Sequence, residues 1–172
     1  TFPKYKTDEI TAPFFGLVYV ALMLSFLYQT RMVPIEGKNT PIVYFLIFIC
    51  SWGCDTCAYA VGMLIGKHKM APILSPKKSI EGGIGGIVGA ALLGAIYGMI
   101  FDLDIRGCVI LCAAGGAVSQ IGDLAASAIK RNHNIKDYGH LIPGHGGILD
   151  RFDSVIFTAP IIYALTLLVF SR

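Results

Sequence analysis

Asp150 and Asp153 stand three residues apart at the start of a long apolar run near the end of the 172-residue sequence. On a helix that spacing turns both carboxylates the same way. Carboxylate oxygens are natural ligands for Mg²⁺, which keeps several waters and bridges to substrate phosphates. Asp123, inside the preceding apolar run, is placed to complete a metal set. Arg151, between the pair, suits a carboxylate or a phosphate. Ahead of them lies Gly144-His145-Gly146-Gly147. Glycines there allow close backbone approach to a ligand, and His145 is the histidine expected to contact substrate. His133 and His140 read as surface loop residues. The histidine spacing matches neither HExxH nor a Cys/His finger, so zinc is not expected.

A second cluster is cationic. KHKMAPILSPKKSIEGG places Lys67, Lys69, Lys77 and Lys78 within twelve residues. Such lysines serve either as anchors for anionic head groups or, beside glycines and polar loop backbone, as a cradle for a polyphosphate. Pro76 restricts Ser75 to extended geometry, so this loop is expected to be ordered.

These residues sit among spans that fit a bilayer. The chain is 55% hydrophobic and 15% charged, with mean hydropathy +0.66. Soluble domains carry about 25% charged residues. A helical span needs roughly 20 apolar residues, and five segments qualify: Ile10–Thr30, Pro41–Gly66, Gly82–Phe101, Gly107–Ile129 and Ser154–Ser171. The runs are long and continuous rather than alternating, which makes membrane strands a poor alternative. The expected fold is an all-α, polytopic transmembrane bundle in one domain, 1–172. The formal net charge of +3 gives no reason to expect nucleic acid. Loop charge sets the orientation. Lys4, Lys6, Lys67, Lys69, Lys77, Lys78, Lys130, Arg131, Lys136 and Arg151 fall on one side. Arg31, Lys38, Arg106 and Arg172 fall on the other. The first set is assigned to the cytoplasm, with the N-terminus.

Asp55 and Asp123 interrupt apolar spans. An ionised Asp at mid-bilayer costs about 2.5–3.5 kcal/mol on insertion scales, which marks both as functional candidates. Ser119, Asp123 and Ser127 recur every four residues, and Arg131 continues that face. Asp55, Tyr59, Gly62 and Gly66 form a similar stripe. Together the stripes predict a wet cavity open to the cytoplasm. The glycine pairs Gly82/Gly86, Gly85/Gly89 and Gly94/Gly98 predict close helix packing. The five cysteines, all in apolar stretches, read as small buried helix residues. The opening TFPKYKTDEI lacks Met and reads as a mid-protein loop, with no signal peptide.

The stretch from Ser127 to Asp153 contains Ile129-Lys130-Arg131, Lys136-Asp137, Gly139, Ile142-Pro143, His145-Gly146-Gly147-Ile148 and Asp150-Arg151-Phe152-Asp153. Over its 27 residues it matches the signature of the phosphatidate cytidylyltransferases, or CDP-diacylglycerol synthases, without departure. Asp55-Thr56-x-Ala58-Tyr59-x2-Gly62-x3-Gly66-Lys67, Ser75-Pro76-Lys77-Lys78-Ser79-x-Glu81-Gly82 and Gly122-Asp123-Leu124 also resemble that family. The resemblance implies transfer of a cytidylyl group from CTP to phosphatidic acid, giving CDP-diacylglycerol and pyrophosphate. It further implies Mg²⁺ dependence, with K⁺ as a candidate second cation, a homodimer, and additional N-terminal spans. In that frame Asp123, Asp150 and Asp153 are the metal ligands, and Asp55 is a second-tier metal or cytidine contact. Lys67, Lys69, Ser75, Lys77 and Lys78 face the triphosphate. Ser127, Lys130, Arg131, Lys136, His145, Gly146, Gly147 and Arg151 serve substrate phosphates, with Lys130 among the catalytic groups. Two other readings compete: a CTP-dependent kinase of a lipid alcohol, and a channel or transporter lined by Asp55 and Asp123.

Overall fold

The computed structural model describes residues 7–34, 41–141 and 146–170. His145 therefore lies outside the described residues, as do Lys4, Lys6, Lys38 and Arg172 from the charge count. Among the described residues, five helices are long and apolar enough to cross a membrane: α1 (Glu9–Arg31), α2 (Ile42–Ile65), α3 (Ile80–Ile100), α4 (Ile105–Asn132) and α5 (Leu149–Phe170). The expected all-α bundle stands.

Three details differ from expectation, and each bears on the site. α4 runs past Ile129, so Lys130 and Arg131 are helical rather than in a loop. α5 begins at Leu149, which puts Asp150 and Asp153 on helix from the outset. The lysine-rich loop is a two-stranded antiparallel hairpin, β1 (Lys69–Ala71) and β2 (Ser75–Ser79), with Lys69 opposite Ser79 and Ala71 opposite Ser75.

Glycine on α3 decides how near the helices come. One face of α3 meets α2, where a Cβ on Gly86 would stand 2.8 Å from the Cys54 carbonyl oxygen and one on Gly82 2.7 Å from that of Ala58. Another face meets α4, where a Cβ on Gly94 would lie 2.9 Å from the Cys108 carbonyl oxygen. Such contacts leave no room for a side chain, as expected where small residues bring backbones together in lipid. Ile84, Val88, Leu92 and Ile96 point outward on the same helix. Cys54, Cys108 and Cys112 are buried free thiols packed opposite α3 glycines, and buried Cys50 packs on Gly115 of α4, as expected of small helix residues; Cys57, facing Gly89, is only half-buried, short of that expectation. The apolar core gathers Leu46 and Ile47 of α2, Leu111 of α4, and Val155 and Ile162 of α5.

α2 is not regular throughout. Ile49–Gly53 forms a wide π-type turn. Within it, Ser51 Oγ meets Ser154 Oγ of α5 at 2.5 Å. This buried hydroxyl pair locks the two helices just below Asp55 and Asp153.

Packing of this kind makes α3 intolerant of bulk on its inner faces. Gly94→Val should destabilise the bundle by about 1–3 kcal/mol through overpacking. Val88→Ala, on the outward face, should stay within about 0.5 kcal/mol. Thermal unfolding in detergent micelles measures both.

Candidate active site

The hairpin is fastened to the start of α3. Ser79 caps the helix, its hydroxyl accepting from the Gly82 N–H at 3.1 Å. Glu81, in the first turn, accepts from the backbone N–H groups of Lys67 (3.1 Å) and His68 (3.2 Å) and meets His68 Nδ1 at 2.5 Å. The Ile80 N–H donates to the His68 carbonyl at 2.9 Å. Both ends of the lysine segment are thus anchored at one helix N-terminus, which itself favours anions.

Held this way, the hairpin roofs a cavity of about 480 Å³. Lys69, Lys77 and Lys78 line it together with Asp55 and Tyr59 of α2, Gly82 and Gly83 of α3, and Asp123 of α4. The Lys78 ammonium forms an ion pair with the Asp123 carboxylate. It also donates to Gln120 Oε1 at 3.4 Å, while Gln120 Nε2 reaches Cys54 Sγ at 3.3 Å. Gln120 is buried and connects the hairpin, α4 and α2.

A second cavity, about 510 Å³, opens between α2 and α5. Asp55 and Asp123 line it too, joined by Asp150, Arg151 and Asp153 of α5 and by Trp52 and Thr56 of α2. Two carboxylates therefore form a wall common to both cavities.

Lys130 organises the α5 side. Its ammonium lies 3.0 Å from Asp150 Oδ1 and 3.5 Å from Asp153 Oδ2, and the residue is only 8% exposed. The far oxygen of Asp150 accepts from the backbone N–H groups of Tyr138 (2.8 Å) and Gly147 (2.9 Å). Asp153 Oδ1 accepts from the Ser154 N–H at 2.8 Å. The Tyr138 ring lies under Lys130, 5.2 Å from Nζ to centroid, and its hydroxyl donates to the Ala126 carbonyl at 3.3 Å. Burial raises the Tyr138 phenol above its ordinary pKa, against the opposing charge of Lys130. It stays protonated and able to donate. Gly146 adopts φ +81°, closed to most residues, and a Cβ there would stand 3.0 Å from Asp150 Oδ2.

The structure brings together much of the expected set: Asp55, Asp123, Asp150, Asp153, Lys69, Lys77, Lys78 and Arg151 around the two cavities, with Lys130 braced beside them. Others line neither cavity. The Lys67 backbone N–H serves Glu81. Arg131 is exposed and donates to the Ile135 carbonyl at 3.1 Å. Lys136 is exposed, and Ser75 and Ser127 are half-buried. Gly147 directs its N–H to Asp150. Of the stripe Ser119–Asp123–Ser127–Arg131, only Asp123 lines a cavity, and Ser119 is fully buried against the packed helices. The α2 stripe fares better, with Asp55, Tyr59 and Gly62 all lining the lysine-rich cavity. His133 and His140 are exposed, as expected. Gln120 and Trp52 were missed. Gln120 had a signal, a polar residue one turn before Asp123 in an apolar span.

Oxygen donors of this type suit a hard cation such as Mg²⁺. Among the described residues, no three His, Cys, Asp or Glu side chains converge on one ion position. Here the carboxylates take their counter-charge from Lys78 and Lys130.

Comparison with known proteins fits this arrangement of charge. The sequence model of the cytidylyltransferase family matches residues 2–169. The chain belongs to that family. Its relatives include the phosphatidate cytidylyltransferase of Bacillus subtilis (strain 168), 38% identical over 163 residues, covering 94% of this chain and 60% of the relative. The phosphatidate cytidylyltransferase of Staphylococcus aureus (strain COL) is 39% identical over 155 residues, covering 87% of this chain and 56% of the relative. That of Staphylococcus epidermidis (strain ATCC 12228 / FDA PCI 1200) is 40% identical over 152 residues, with the same shares. This family member thus spans between half and two thirds of the length of those relatives.

Removing the Lys130 charge leaves two buried carboxylates without it. Lys130→Met should lose about 3 kcal/mol or more of stability, the penalty for breaking a buried ion pair from one side. A thermal midpoint equal to the parent's would show that water or another cation already compensates Asp150 and Asp153.

Proposed function

We propose that the chain carries the catalytic part of a CTP:phosphatidate cytidylyltransferase, acting as one membrane-embedded unit on the cytoplasmic face. The observation that carries this reading is the wall shared by Asp55 and Asp123, with a lysine-lined cavity on one side and an aspartate-lined cavity on the other. A reaction between two anionic phosphates needs this combination. Family membership and the names of the relatives supply CTP and phosphatidic acid as the substrates. The excess of Lys and Arg at the site end of the helices supports the cytoplasmic orientation.

The chemistry is phosphoryl-type substitution, in which positioning and charge neutralisation dominate. A phosphate oxygen of phosphatidic acid attacks the α-phosphorus of CTP. The new P–O–P bond forms as the α–β bond breaks, and the electron pair leaves on pyrophosphate. The nucleophile is already anionic, so no strong base and no covalent enzyme intermediate are required. Lys69, Lys77 and Lys78 hold the triphosphate and then the departing pyrophosphate. Lys130 keeps Asp150 and Asp153 in place. Mg²⁺ held by Asp123, Asp150 and Asp153, with Asp55 as an outer contact, would neutralise phosphate charge and draw the two anions together. K⁺ is the candidate for a second cation. A homodimer completes the reading.

Asp123→Asn, Asp150→Asn and Asp153→Asn should each abolish nearly all pyrophosphate release while the protein still inserts. Normal turnover of any one at limiting Mg²⁺ removes that residue from the site. EDTA should stop the reaction, and Mg²⁺ should restore it. Lys77→Ala should raise KM for CTP by about tenfold, one charge-assisted contact's worth. If CDP rather than pyrophosphate is the product, the chain is instead a CTP-dependent lipid kinase.

A further inference from the structure

Gln120 joins three elements although it borders neither cavity. It stands on α4, one turn before Asp123, and is 6% exposed. Its Oε1 accepts from the Lys78 ammonium at 3.4 Å, and its Nε2 donates to Cys54 Sγ at 3.3 Å. The Cys54 thiol in turn donates to the Gly116 carbonyl of α4 at 3.5 Å. A polar side chain buried in an apolar span is costly unless its groups are matched. Here both ends of the amide are matched, one on β2 and one on α2.

The direction of each bond is forced. An ammonium has donors only, so it meets the amide through the amide oxygen. That leaves the NH2 group for the sulfur. The sulfur can accept because its own proton is turned to Gly116. While Cys54 holds the nitrogen, the amide oxygen stays aimed at Lys78. Asp123, the other partner of Lys78, attracts the ammonium by charge and partly neutralises it. Gln120 is neutral. It fixes where the ammonium stands without cancelling its charge. Of the three N–H bonds on the ammonium, Asp123 and Gln120 engage two. The third is left for an anion in the lysine-rich cavity, which Lys78 lines.

We infer that Gln120 is a positioning residue for Lys78, and that the Cys54–Gln120 pair sets how tightly the lysine-rich cavity binds a polyphosphate. The inference rests on the proposed activity for taking that polyphosphate to be the triphosphate of CTP. Inorganic pyrophosphate carries the same phosphate chemistry without the nucleoside, so binding can be read apart from turnover.

The chain in phosphatidylcholine nanodiscs is titrated by calorimetry with CTP and with inorganic pyrophosphate. Gln120→Met keeps the length and bulk of the side chain and removes both of its hydrogen bonds. It should weaken each ligand about tenfold, as loss of a bond to a charged group does. In a Lys78→Met background, where Lys69 and Lys77 still line the cavity, the same change should add nothing, because Gln120 acts through that lysine. Cys54→Ala frees the amide to turn and should weaken binding about threefold, one neutral hydrogen bond's worth. Cys54→Ser, whose hydroxyl still accepts, should restore it. Under turnover, Gln120→Met should raise KM for CTP and leave KM for phosphatidate unchanged, whereas a packing defect would move both or lower kcat alone. Should Gln120→Met fail to fold, the Cys54→Ala and Cys54→Ser pair carries the test. Parental affinity in Gln120→Met overturns the inference. So does an equal loss with and without Lys78, or a Cys54→Ser variant as weak as Cys54→Ala. CTP bound without pyrophosphate release, and weakened by Gln120→Met, sinks the proposed activity and keeps the inference. Turnover with an unchanged KM for CTP in Gln120→Met does the reverse. A parent that binds neither CTP nor pyrophosphate overturns both.

Discussion

A carboxylate inside a membrane-embedded bundle must be compensated, and most of this structure follows from how that is arranged. Water and salt do little for charges enclosed by helices, so each buried aspartate needs donors or a counter-charge at contact range. Asp123 takes Lys78. Asp150 and Asp153 divide Lys130 between them and add backbone N–H groups from Tyr138, Gly147 and Ser154. Each partner comes from a different element than the carboxylate it serves, apart from the Ser154 amide. The hairpin, the end of α4 and the loop before α5 are drawn to one place by the same electrostatic demand.

Such convergence requires backbones that approach closely, and α3 supplies them. Its inner faces carry hydrogen where other helices carry carbon, so α2 and α4 can flank it at near-contact distance. Asp55 on α2 and Asp123 on α4 can then border the same cavities although α3 packs against both of their helices. The α3 glycines that meet α2 and those that meet α4 therefore set, between them, how far apart the two aspartate-bearing helices stand from α3.

Much of this was legible in the residues. Continuous apolar runs gave five spans because a bilayer admits little else, and isolated aspartates stood out because charge in hydrocarbon is costly. The three-residue spacing of Asp150 and Asp153 held on a real helix, where both meet Lys130. Other features needed three dimensions. Lys67 and Lys69 look equivalent in sequence, yet only Lys69 lines the cavity; Lys67 precedes β1, where its backbone N–H is held by Glu81. Arg131 follows Asp123 on an ideal helical stripe but lies past the cavity's edge, where its guanidinium folds back onto a local carbonyl. The π-type turn at Ile49–Gly53 breaks the 3.6-residue periodicity of α2, and no periodic reading across it could place Trp52 relative to Asp55.

The hairpin carries a consequence of its own. Lys78 sits on β2, a surface element, while its partner Asp123 belongs to a span. Displacing the strand would strip a membrane-embedded anion of its counter-ion, so loop position and site charge are one variable.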